Sequence, residues 1–184
     1  MKKTLLAAAA LGLLAAPAIA QTNPGPTIAP APTPAEMKQP RPARAHGIST
    51  ALAIEAAEAA NATCLGNGYK TTSMITDSAG VPIVVISNDG AAAITQRIAM
   101  SKIQAVMKYN MDTSGEVAAK AKTDSAMAAQ IKADPLIETA RQGAVAIMAG
   151  GHRIGVFAVS GAPGGDKDEV CVRAGLAKIQ DRVK

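Results

Sequence analysis

Two pairs of β-rich runs, each joined by four residues of turn composition, constrain this chain more than any other feature. Residues 69–76 and 82–87 flank Asp77-Ser78-Ala79-Gly80, and residues 144–148 and 153–160 flank Ala149-Gly150-Gly151-His152. Runs spaced in this way close as antiparallel hairpins, with glycine supplying the positive φ of a tight turn. In the last run Val156, Ala158 and Ser160 alternate with Phe157 and Val159, the period of a strand. Pro82 has no N–H to give to a ladder, so it belongs at the start of a strand or on a sheet edge.

Around the hairpins the period becomes helical. Residues 48–65 read as an Ala-rich helix with Ser49 as N-cap and with Leu52, Ala56, Ala59, Ala60 and Thr63 along one side; Gly66-Asn67-Gly68 stops it. After the Asn88-Asp89-Gly90 turn, residues 91–109 predict a long helix carrying Ile94, Ile98, Ile103 and Val106. Thr113-Ser114-Gly115-Glu116 has the form of a capping box and opens a helix expected to run to about residue 132, before Asp134-Pro135. Asp166 is expected to cap the last helix, with Glu169 at the capping-box position. Helix, hairpin, two helices, hairpin, helix is the order of an α+β domain, an antiparallel sheet flanked by helices. Residues 47–184 suit a single domain of that kind.

The first residues read as an export signal: Met1-Lys2-Lys3, an apolar run from Leu5 to Leu14, and an A-x-A site that places cleavage between Ala20 and Gln21. The apolar run is shorter than the roughly 20 residues a membrane span needs, and no later stretch reaches that length. The expected location is therefore periplasmic or secreted. Residues 21–46 follow as a Pro/Ala-rich linker, with seven prolines between positions 24 and 42, a composition that favours extended polyproline conformations.

Several functions are excluded by residue type. Loss of residues 1–20 leaves 17 Lys and Arg against 14 Asp and Glu, a net charge of +3. With no Trp, one Phe and two Tyr there is no aromatic set for stacking bases, so nucleic acid is not expected as a partner. Gly161-Ala162-Pro163-Gly164-Gly165-Asp166-Lys167 is not a phosphate loop, because Asp166 stands where the second glycine is required. Ser160 lacks a nucleophile-elbow context. No metal-ligand spacing occurs, and the acids Asp166, Asp168 and Glu169 suit the first turn of a helix.

Cys64 and Cys171 are the two cysteines, and in an oxidising compartment they form one disulfide or stand as two buried thiols. Lys102 lies four residues after Ile98 and four before Val106, a cation on an apolar helix face. It either snorkels to solvent or turns inward to meet an anionic group.

Asp77-Ser78-Ala79-Gly80, Asp89-Gly90-Ala91, Lys102 and, above all, the run from Ile154 through Ser160-Gly161-Ala162-Pro163-Gly164-Gly165-Asp166-Lys167-Asp168-Glu169-Val170-Cys171 resemble the GlcG/HbpS-like haem-binding proteins. The resemblance extends from about Ile48 to Lys184. It implies a profilin-like sheet with flanking helices, assembly into homo-oligomers, and haem or a related tetrapyrrole as ligand. It also implies a Cys64–Cys171 disulfide, since exported members carry cysteines after the first helix and in the last. Asp89, Gly90, Lys102 and Thr113 would then face the cofactor, Lys102 toward the propionates, and His46 is the natural axial ligand for haem iron. Storage, protection or redox sensing without turnover is the expected role, with haem degradation, or service as an accessory module to a membrane sensor, as the alternatives.

Overall fold

Both expected hairpins form. β1 (Thr72–Asp77) pairs antiparallel with β2 (Pro82–Ser87), and β3 (Ala144–Ala149) pairs antiparallel with β4 (His152–Ser160). β1 also lies antiparallel to β4, with Thr72 opposite Ser160 and Asp77 opposite Gly155, so the strand order is β2-β1-β4-β3. Pro82 is the first residue of an edge strand, where its missing N–H costs no ladder bond. The computed structural model describes residues 43–137 and 140–184. The export segment, the Ala20–Gln21 cleavage point and the linker up to residue 42 lie outside them.

Among the described residues five α-helices accompany the sheet: α1 (Thr50–Gly66), α2 (Ile94–Tyr109), α3 (Ser114–Thr123), α4 (Ser125–Ala133) and α5 (Gly165–Ile179), the last followed by a short 3-10 turn. The alternation of β4 divides the apolar side chains between two layers. Ile75, Val145, Phe157 and Val159 face α1 and α5, while Met74, Ala146, Val156 and Ala158 face α2. A third cluster, Val117, Met127, Ile131 and Ile137 with Ala105 of α2, holds α3 and α4 on the outer side of α2. The fold is α+β, as the element order predicts, and profilin-like, as the family resemblance implies.

α1 and α5 approach closely because their facing residues are small. Ala53, Ala56, Ala57 and Ala60 are fully buried, and a Cβ on Gly175 of α5 would stand 2.4 Å from the Ala56 carbonyl oxygen and 2.7 Å from Phe157. Cys64 and Cys171 join the two helices as a disulfide with a Cα–Cα distance of 5.6 Å, within the range the bond requires. The inward stripe of α1 is Ala53, Ala56, Ala57, Ala60, Asn61 and Cys64, turned from the expected side, with Leu52 only partly buried. An alanine-rich helix gives little apolar contrast from which to choose a face.

Four further expectations are corrected. The first strand begins at Thr72 rather than residue 69. α2 begins at Ile94, because residues 88–92 are spent in successive turns, with Ala91 N–H donating to the Asn88 carbonyl and Thr95 N–H to that of Ala92. The single helix expected from 114 to 132 is two: Asp124 adopts an extended conformation and its side chain accepts from Met127 N–H, capping α4. Asp166 does not cap α5. Gly164 holds the N-cap position, Asp166 lies inside the first turn, and Glu169 accepts from Arg173 instead of reaching back.

Candidate functional site

Lys102 is the largest fully buried side chain of the described residues, at 1% exposure. Its position on α2 carries the stem past the end of β3, where Nζ donates to the Val159 carbonyl at 2.8 Å and to Asp168 Oδ2 at 2.7 Å. The solvent-seeking alternative for this lysine is thus overturned, and the anion it meets is the chain's own. Asp168 Oδ1 accepts from Ala162 N–H at 2.9 Å, so both carboxylate oxygens are used. Burial lowers the Lys102 amine from its usual range and raises the Asp168 carboxyl, while their mutual attraction opposes both shifts.

The room for this pair comes from Gly143, whose φ of +113° excludes an ordinary side chain and whose Cβ would stand 2.6 Å from Lys102 Nζ. The next residues seat α3 against the sheet. Ala144 N–H donates to Ser114 Oγ, and Thr113 bridges to Val145 while its side chain and Glu116 complete the predicted capping box. Gly115 of α3 and Gly165 of α5 both rest on Gln142, where a Cβ on either would come within 2.8 Å of it.

In front of that wall two recesses adjoin, sharing Ala118, Lys122 and Ala140. One, of about 430 Å³, is bounded by Gly115, Arg141, Gln142, Gly165 and Asp166. The other, of about 420 Å³, extends along α3 and α4 over Ala121, Ala128, Ile131 and Lys132. The walls are mainly alanine with Ile131, and among the described lining residues the charges are Lys122, Lys132 and Arg141 against Asp166, an excess of two positive charges. Among the described residues none of the three cations is in an ion pair. The groove therefore suits an anionic ligand with an apolar part. A third recess, of about 350 Å³ between β3 and α5, contains one cation, Arg173, which Glu169 already holds.

The residues singled out in the sequence are not brought to one place. Lys102 is sealed behind the groove wall, and Thr113 caps the helix whose next turn lines the groove. Asp89 and Gly90 are exposed in the turn between β2 and α2, beside Lys70. His46 is exposed at the other end of the sheet, its carbonyl accepting from Ser78 N–H in the β1–β2 turn. Lys122, Lys132 and Arg141 were not signalled, since each alone resembles an ordinary solvated charge. The break at Asp124 that aims α3 and α4 into one groove was the missed cue. Among the described residues no cluster of three or more His, Cys, Asp or Glu could hold a metal ion.

A family model described as "Haem degrading protein HbpS-like" matches residues 48–177. No curated protein matches the chain. Among solved structures, a double mutant of HbpS from Streptomyces reticuli is 26% identical, with 83% of this chain and 97% of that one covered at a TM-score of 0.63. A PduOC:heme complex is 16% identical over 72% and 95% of the two chains, TM-score 0.66. The Klebsiella pneumoniae protein ORFY is 14% identical over 77% and 97%, TM-score 0.66. These last two likenesses are of fold.

Proposed function

The chain belongs to the HbpS-like family, and from that premise we propose that it binds haem or a related tetrapyrrole after export, in storage, protection or redox sensing, without turning it over. The observation that carries the reading is the alanine-walled groove with Lys122, Lys132 and Arg141 around it. A porphyrin needs apolar walls for its ring and cations for its propionates, and the groove offers both. Lys122 lies where the two recesses join, with Arg141 on one and Lys132 on the other, and these three would hold the carboxylates. Asp168 and Lys102 act from behind, fixing the start of α5 and with it Gly165 and Asp166 of the wall. Bound iron would supply the redox chemistry, the protein only its binding and orientation.

One sequence feature and one structural feature support action outside the cytoplasm: the basic, apolar and A-x-A order of residues 1–20, and the Cys64–Cys171 disulfide, a bond that persists in oxidising compartments. Homo-oligomers and a membrane sensor partner, which the family resemblance implies, are part of the same proposal.

Titrating the mature chain with hemin tests the reading. A saturable Soret shift is expected, and its absence contradicts the proposal. The family's description as haem-degrading motivates the second reading, which peroxide separates: bleaching beyond that of free hemin makes the chain an enzyme.

A further inference from the structure

We infer that the groove holds its tetrapyrrole by ring and carboxylates alone, so that the metal-free porphyrin binds about as well as haem. The inference rests on the proposed function and concerns how that same site recognises its ligand.

Haem iron in proteins takes imidazole, thiolate, thioether or phenolate donors. Among the described residues lining the two recesses there is none: the polar groups are lysine, arginine, Gln142 and Asp166. From Asp112 to Ile147 the sequence itself contains one such donor, Met127. That side chain is 6% exposed and packs with Val117 and Ile131 in the cluster beneath α3 and α4; Tyr109 and Met111, just before this stretch, pack against the same cluster and line neither recess.

The two histidines stand elsewhere. His152 begins β4 at the β3–β4 turn, and the groove touches Gln142 at the opposite end of β3. Six residues of strand separate the two ends by about 17 Å, at roughly 3.4 Å per residue. His46 is at the hairpin-turn end as well, because it accepts from Ser78 and because Asp77 lies opposite Gly155, itself opposite Ile147. What the described residues of the groove do provide is an excess of two positive charges beside apolar walls, matched to a dianion rather than to a metal.

Fluorescence and absorbance titrations of the mature chain with hemin, protoporphyrin IX and protoporphyrin IX dimethyl ester test this. The expected result is that hemin binds no more than tenfold tighter than protoporphyrin IX, and that the dimethyl ester, lacking the charges, binds at least tenfold more weakly than the free acid. Hemin binding more than tenfold tighter than the metal-free porphyrin overturns the inference and leaves the proposed function standing. So does an ester that binds as well as the acid. If neither hemin nor protoporphyrin IX binds saturably, the proposed function itself falls, and the inference with it.

Discussion

Lys102 Nζ lies 2.7 Å from Asp168 Oδ2, a contact closed across 66 residues of sequence and buried on both sides. Removing one partner of such a pair leaves an uncompensated charge in the interior, which costs about 3–5 kcal/mol. Lys102→Met is expected to destabilise by that amount in urea unfolding. The double variant Lys102→Met with Asp168→Asn removes the stranded charge while keeping an acceptor for Ala162 N–H, and should recover at least half of the loss. A cost below about 1 kcal/mol for the single variant would show that the pair does little for the fold.

The Cys64–Cys171 bond closes a loop with a sequence separation of 107. In the chain-entropy model a loop of that length contributes about 4–5 kcal/mol. Replacing both cysteines by alanine should lower unfolding stability toward that figure, and thiol counting on the unreduced protein should find no free thiol.

Gly175 allows α5 to lie against the Ala56 carbonyl. A methyl group there cannot be relieved by a rotamer change, because the obstacle is backbone, so the helices must separate. Gly175→Ala is expected to lose about 1–3 kcal/mol in thermal unfolding, although alanine is the better helix former.

The Glu55 carboxyl is held below its usual value of 4.5, first by the hydrogen bond from Arg182, which ties the C-terminal turn to α1. A carboxyl with a depressed folded pKa contributes stability that is present above the unfolded value and lost as pH falls through the folded one. Carboxyl-detected NMR titration should show Glu55 titrating below 4.5 in the parent and returning toward it in Arg182→Ala.

Much of the architecture was legible because its signals are local. The two hairpins, the Ser49 cap, the Thr113 capping box and the place of Pro82 each depend on a few adjacent residues, and each is found. Lys102 was legible as an anomaly but not as a pair, since nothing in its own helix points to a carboxylate 66 residues away. Asp166 and Asp168 were indistinguishable in sequence, both being acids in a helix's first turn; only packing turns Asp168 inward and leaves Asp166 on the groove. The groove was hidden for a related reason. A lone Asp124 without an acid or amide three residues on is a weak stop signal, and a continuous helix would not place Lys122 and Lys132 beside one recess.

The most direct test of the groove as the binding site is hemin affinity after charge reversal at its rim. Lys122→Glu together with Arg141→Glu replaces two exposed cations, so the fold should survive, as thermal unfolding would verify. The account predicts a loss of at least about tenfold in affinity, equivalent to about 1.4 kcal/mol. A folded double variant that binds hemin as tightly as the parent would contradict it.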